Sequence, residues 1–325
     1  MKTEKITGFS HLIKRLDMVM ILLSLFIFLS ILILGVTVVT PGVLSANNSN
    51  VFARLNVTNT EPHLYSVTVD GAPIDLTAGE ITIVNCTGKF WDYNGYGDII
   101  NVTATLYDSG GGFTHFSPLD NNYHYKNSSC LATCAEIPAT NGMNGTCTCS
   151  FSVQYYANDS TWTCNMTIAD ANFSSSNTGS GIINPLVALN VPPEIDYGDL
   201  IVTQTSPTRQ IDITNFGNRQ INVTVRGFGG ADEALYPGVS MMCELGNITL
   251  SAHRYSLSSS PVYDSMIGLT AIDTPVVNIT IAQRTNDVAP TVGQDVNLTY
   301  WRIKVPYTVG GLCNGTIVFS AVDAE

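Results

Sequence analysis

From Met18 to Val39 the chain is one apolar run, MVMILLSLFIFLSILILGVTVV, without a charged residue. Beyond residue 60 the pattern changes to short segments in which apolar and polar residues alternate with a period of two. At about 1.5 Å per residue, the apolar run as a helix spans a hydrocarbon core of roughly 30 Å. Lys2, Lys5, Lys14 and Arg15 precede it, and Arg54 is the first cation after it. The positive-inside bias therefore predicts a cytoplasmic N-terminus over 1–17, a single-pass plasma-membrane anchor over 18–40, and an extracellular C-terminal remainder. A cleaved signal peptide with Val43 and Ser45 before the cut is the competing reading, but the run exceeds the usual signal core of about 7–15 residues.

The alternating segments predict strands. HLYSVTVDG, EITIVNCTGKFWD, DIINVTATLYD, CTCSFSVQYYA and STWTCNMTIAD come first, and LVALNVP, RQIDITNFG, INVTVRGFG, SMMCELGNITL, PVVNITIAQ, LTYWRIKVP and GTIVFSAVD follow. Turn residues bound them, and no long stretch of 3.6-residue period occurs past the anchor. The expected fold is all-β: a sandwich over 46–173 with an insertion at 110–146, a Ser/Gly-rich linker over 174–181, and a second sandwich over 182–325.

Charge narrows the partners. Lys and Arg number 14 against 26 Asp and Glu, for a formal charge of −12, and no basic cluster occurs outside the first fifteen residues. A surface that neutralises phosphates is missing, which excludes nucleic acid. Only 12% of residues are charged and 45% are hydrophobic, which argues against disorder and leaves solubility to another source. Asn-x-Ser/Thr supplies it, at Asn47, Asn56, Asn85, Asn101, Asn127, Asn144, Asn158, Asn165, Asn172, Asn222, Asn247, Asn278, Asn297 and Asn314. Composition alone would give roughly five such sites, so the excess points to glycan attachment on an exported chain. Asn-Val-Thr and Asn-Ile-Thr are also good strand sequences, which is the alternative source of the motif.

All eight cysteines lie beyond the anchor, six before residue 174 and two after 181. An even number in an exported chain favours disulfides. If each half closes its own bridges, Cys243 pairs with Cys313. Six cysteines allow fifteen pairings in the first half; the favoured set is Cys86–Cys164, Cys130–Cys149 and Cys134–Cys147. The alternative is a zinc site, but Cys130 to Cys149 lacks paired CxxC knuckles, and Cys147 and Cys149 project to one face of a strand.

Among motifs that carry chemistry, Asp92, Asn94 and Asp98 in DYNGYGD place oxygen ligands around a glycine turn, as calcium requires. The same residues serve equally as a turn whose Asp and Asn bond their own backbone, and the third acid and terminal Glu of a calcium loop are absent. His115 and His124, with Asp120 between them, lie in a segment of loop composition where no third convergent metal ligand is visible. Glu244, Asp264 and Asp273 are scattered acids. No sequence signature of a hydrolase, protease, nucleotide-binding loop or dinucleotide site is present, so no catalytic residue is assigned and no cofactor beyond calcium. Tyrosines at 93, 96, 107, 123, 125, 155 and 156 crowd the first half, either as ordinary strand residues or as a recognition face, for which the 110–146 insertion is the expected place.

With Cys86 on one strand, the FWDYNGYGD turn and a late TWTCNMT strand, the first half resembles the immunoglobulin-like surface modules of bacteria and archaea. In that pattern an inter-sheet disulfide packs against a buried Trp, here Trp91 or Trp162. EIDYGDL followed by QIDITNFGNRQINVTV resembles sandwich repeats built on a T-N-x-G-N pattern. Taken together, the chain resembles membrane-anchored archaeal surface glycoproteins. The resemblance implies a non-enzymatic structural or adhesive role, with other surface proteins, glycans or further copies as partners. Two alternatives stand beside it. One is a filament or layer subunit that adds the 46–60 segment as a strand to an exposed sheet edge; the other is a hydrolase or accessory protein acting on surface glycans.

Overall fold

The computed structural model describes residues 51–286 and 288–324. The expected cytoplasmic segment, the anchor at 18–40 and the sequon at Asn47 lie outside the described residues. Residues 51–57 belong to a separate unit from 58–325, and within them Val51, Phe52, Leu55 and Val57 are exposed and unpaired by any strand.

Among the described residues the chain is all-β, with helix limited to four 3-10 turns. The first half contributes β1 (His63–Val69), β2 (Ile81–Trp91), β3 (Asn101–Asp108), β4 (His124–Asn127), β5 (Ala135–Glu136), β6 (Asn144–Gln154), β7 (Thr161–Ala169) and β8 (Ser174–Ile182). The sheets β1-β2-β6-β5 and β4-β3-β7-β8 enclose one core. The second half contributes β9 (Leu189–Asn190), β10 (Arg209–Asn215), β11 (Ile221–Gly229), β12 (Val239–Leu245), β13 (Asn247–Thr249), β14 (His253–Ser256), β15 (Ile267–Gly268), β16 (Thr274–Ile281), β17 (Val296–Ile303) and β18 (Gly310–Asp323). Its sheets, β15-β14-β17-β10-β9 and β13-β12-β18-β11-β16, enclose a second core around Trp301.

Alternation explains these strands directly. β7 buries Trp162, Cys164, Met166 and Ile168 while Thr163, Asn165 and Thr167 stay on its outer face, the period of two that a half-covered sheet demands. The four disulfides are Cys86–Cys164, Cys130–Cys149, Cys134–Cys147 and Cys243–Cys313, the set favoured above. Cys86 lies opposite Cys149 in the β2–β6 register and bridges to β7 in the facing sheet. Trp162, two residues before Cys164, is fully buried in the same core, whereas Trp91 is half-buried at the end of β2.

The linker expected at 174–181 is instead β8, paired with β7 along its whole length from Ser174–Ala169 to Ile182–Thr161. Its composition has a packing cause. A Cβ on Gly179 would stand 2.1 Å from the Val67 carbonyl oxygen, and one on Gly181 would stand 2.9 Å from the Ala72 methyl. Only small residues let β8 lie against β1, and its polar side chains bridge the gap. Ser175 Oγ accepts from the Leu64 amide at 3.2 Å and the Asn177 side-chain amide donates to the Leu64 carbonyl at 3.0 Å.

The two sandwiches meet over polar groups rather than across a flexible spacer. TNFGN at 214–218 ends β10 and opens the turn to β11 that carries this junction. Asn218 donates to the carbonyls of Ala157 at 3.0 Å and Asn184 at 3.1 Å, and its own Oδ1 accepts from the Leu186 amide. Beside it Arg219 pairs with Asp159 at 2.7 Å and Phe216 packs on Tyr155. At the neighbouring Tyr156, Asn122 donates to the carbonyls of Tyr156 and Arg284, and Gln283 donates to Tyr156 at 2.6 Å.

Candidate metal centre

Asp92 and Asp170 each lie six residues beyond a half-cystine of one inter-sheet bridge, Cys86 and Cys164. An even offset keeps a residue on the face of its cysteine, so both aspartates turn inward, one just past β2 and the other just past β7. Asp98, closing the 3-10 turn Tyr96–Asp98 ahead of β3, reaches the same end of the sandwich. One carboxylate oxygen from each of the three lies within 4.8 Å of the other two.

The local backbone fixes one oxygen of each buried carboxylate and leaves the other. Asp92 Oδ1 accepts from the Asn94 amide at 2.8 Å, and Asp170 Oδ1 accepts from the Asn172 and Phe173 amides at 2.7 and 2.6 Å. Asp92 Oδ2 and Asp170 Oδ2 are buried without a hydrogen-bond partner, on side chains 0% and 5% exposed. Burial pushes the Asp92 carboxyl above the ordinary carboxylate range; its Asn94 hydrogen bond opposes this, and the negative charges of Asp98 and Asp170 add to it. Asp170 is held below the ordinary range: burial works against ionisation, but the amides of Asn172 and Phe173 and the side chain of Asn59 outweigh it. The cluster is a small oxygen-lined site with net negative charge. A hard cation held at about 2.3–2.6 Å by its ligands places opposing oxygens up to about 5 Å apart, which matches this spacing.

Asn94, expected among the ligands, is turned elsewhere: its Oδ1 accepts from both the amide and the hydroxyl of Thr60 at 2.7 Å. Asp170 takes its place. Asp92, wholly buried, offers no face to a sugar.

His115, Asp120 and His124 are not brought together as ligands. His124 is buried with Nδ1 2.6 Å from the Ser117 carbonyl, Asp120 caps the Asn122 amide at 2.8 Å, and His115 is exposed against Phe116. Asp273 pairs with Arg226 at 3.1 Å, while Glu244 is exposed on β12 and Asp264 lies in the 3-10 turn Tyr263–Ser265. In the second core, His253 sits 2.6 Å from both Tyr197 Oη and Ser240 Oγ. Ser240 and His253 are each 2% exposed, and Tyr197 and His253 form part of the wall of a cavity that Ile195, Met241 and Phe319 also line.

No family model matches the chain, and no curated protein does. Three of the solved structures that the chain resembles weakly are as follows. One is the chaperone–tip adhesion subunit pre-assembly complex of the archaic chaperone-usher Csu pili of Acinetobacter baumannii, at 10% identity over 76% of this chain and 96% of that chain, with a TM-score of 0.35. Another is a Salmonella alpha-2-macroglobulin mutant, at 12% identity over 83% of this chain and 16% of that one, with a TM-score of 0.27. The third is a chaperone–tip adhesin complex of CFA/I fimbriae biogenesis, at 9% identity over 82% and 84%, with a TM-score of 0.27.

Proposed function

We propose that this chain is a non-enzymatic glycoprotein of the cell exterior, held by the 18–40 segment with its N-terminus in the cytoplasm, whose two joined sandwiches form a structural or adhesive unit. The observation that carries this reading is how the asparagines are sorted. Thirteen sequon asparagines fall among the described residues, and every one is half-buried or exposed. The buried asparagines, Asn122, Asn215 and Asn218, all lie outside sequons. A glycan attached during export needs an accessible side chain, and all thirteen meet that requirement. Four disulfides, with Cys86, Cys147, Cys149 and Cys164 wholly buried, add the oxidising compartment.

Glycopeptide mass spectrometry on the chain recovered from membranes of its own host tests this. Glycans on several of the thirteen sites are expected, and a chain with every sequon bare, or one recovered from the cytosol, would overturn it. A second reading, self-assembly by strand donation, is favoured by VFARLNV at 51–57, where Val51, Ala53, Leu55 and Val57 would form one apolar face of a strand yet are exposed. Light scattering separates the two: a monodisperse monomer fits the adhesive unit, and growth that a Leu55→Asp change abolishes fits donation.

A further inference from the structure

Three observations at one end of the first sandwich belong together. Three carboxylates from two chain segments, the 92–98 loop and the residue after β7, converge within 4.8 Å. Two of them, Asp92 and Asp170, keep a buried oxygen without a hydrogen-bond partner. All three are acids, so the charges gathered there are of one sign. Buried polar atoms in folded proteins are almost always paired, and like charges at this distance repel, so such an arrangement is relieved by a shared proton or by a cation; three converging carboxylates with one side open to water fit the cation. The donors are all carboxylate oxygen, which selects a hard divalent ion over zinc or copper. Asp98 is half-exposed, leaving that side open for the waters that complete a coordination number of six to eight.

We propose that Asp92, Asp98 and Asp170 bind one calcium ion that clamps the two sheets of the first sandwich at the end where the chain enters it. Asp92 follows β2 in one sheet, while Asp98 and Asp170 flank β3 and β7 in the other. The ion closes the end that the Cys86–Cys164 bridge leaves six residues away. It also reaches the entering chain. Asn59 contacts the Asp170 carboxylate, and Thr60 is bonded to Asn94 on the loop between Asp92 and Asp98. Calcium therefore sets how firmly residues 58–62 are held to the sandwich, independently of whether the chain is glycosylated.

The test uses the full chain, stripped with chelator and titrated with calcium by calorimetry, and with terbium whose emission is sensitised by Trp91, Tyr93 and Tyr96 beside the site. Wild type is expected to bind one equivalent. Asp98→Asn and Asp170→Asn should weaken binding by about tenfold or more, whereas Asn94→Ala should leave it within about threefold, because that side chain serves Thr60. Hydrogen exchange over 58–62, 92–100 and 169–173 should slow when calcium is added. Absence of saturable binding to wild type would overturn the proposal. So would an Asp98→Asn chain that binds like wild type, or a loss of binding in Asn94→Ala with Asp170→Asn unaffected. If Asp170→Asn fails to fold, the half-exposed Asp98 keeps the test decisive.

Discussion

The side-chain amide of Asn218 in the second sandwich donates to the backbone carbonyl of Ala157 in the first, at 3.0 Å. Both residues are buried, at 1% and 0% exposure, so neither group has water as a substitute partner. Asn218→Ala would orphan the carbonyls of Ala157 and Asn184 together with the Leu186 amide. Each buried group left unpaired costs about 1–3 kcal/mol. Chemical denaturation should show a loss of at least about 2 kcal/mol, with the single transition of the wild type separating into two as the sandwiches uncouple. A variant that unfolds in one transition at the wild-type midpoint would show that the junction does not couple them.

His253 makes the second core sensitive to acid. Full burial pushes its pKa down from 6.5 to about 3. Between those values the unfolded chain binds a proton that the folded chain refuses. Its contribution is thus fully present above pH 6.5 and is lost as pH falls toward 3, with a slope approaching about 1.4 kcal/mol per pH unit. Thermal melts from pH 7 to 4 should show this decline, and His253→Gln should flatten it while lowering stability at pH 7 by removing the contacts to Tyr197 and Ser240. An unchanged slope in that variant would assign the acid sensitivity to the carboxylates instead.

Gly179 tests whether β8 is structural. Gly179→Ala would bring a methyl to 2.1 Å from the Val67 carbonyl oxygen, a backbone atom that cannot rotate away. The strands must separate, at a cost of about 1–3 kcal/mol. Ser176→Ala, on the same strand but hydrogen-bonded only to Thr167 across the outer face, should cost less than about 1 kcal/mol. Equal melting temperatures for the two variants would mean that β8 contributes no more than a tether.

Much of this fold was legible in the alternation, because strands covered on one face leave their period in the sequence, as Trp162, Cys164, Met166 and Ile168 do. The Cys243–Cys313 bridge was legible because each half holds an even number of cysteines, whereas the three bridges of the first half were a choice among fifteen pairings. β8 was not. Its outer face is polar and its inner face meets backbone, so the residues it needs, Ser and Gly, are also those of a spacer. The site was half legible. Asp92 and Asp98 stand in one turn, but Asp170 is distant in sequence, and the one signal for it was its offset from Cys164, equal to that of Asp92 from Cys86. Asn94 misled because an amide in such a turn bonds neighbouring backbone as readily as an ion. TNFGN was visible as a motif, yet only the partners of Asn218 reveal it as a joint.

The seam between β1 and β8 also bears on how safely such a chain can be crowded on a surface. A sandwich ordinarily offers four lateral edges on which a neighbour's backbone can nucleate an aggregate. In the first sandwich two of these, β1 and β8, face each other and are stitched through Ser175 and Asn177. The remaining two are β4, with four residues, and β5, with two, and each adjoins the segment that Cys130–Cys149 and Cys134–Cys147 tie to β6. The Ser- and Gly-rich stretch that looks least like structure thereby shields the domain from fibrillar misassembly at high local concentration.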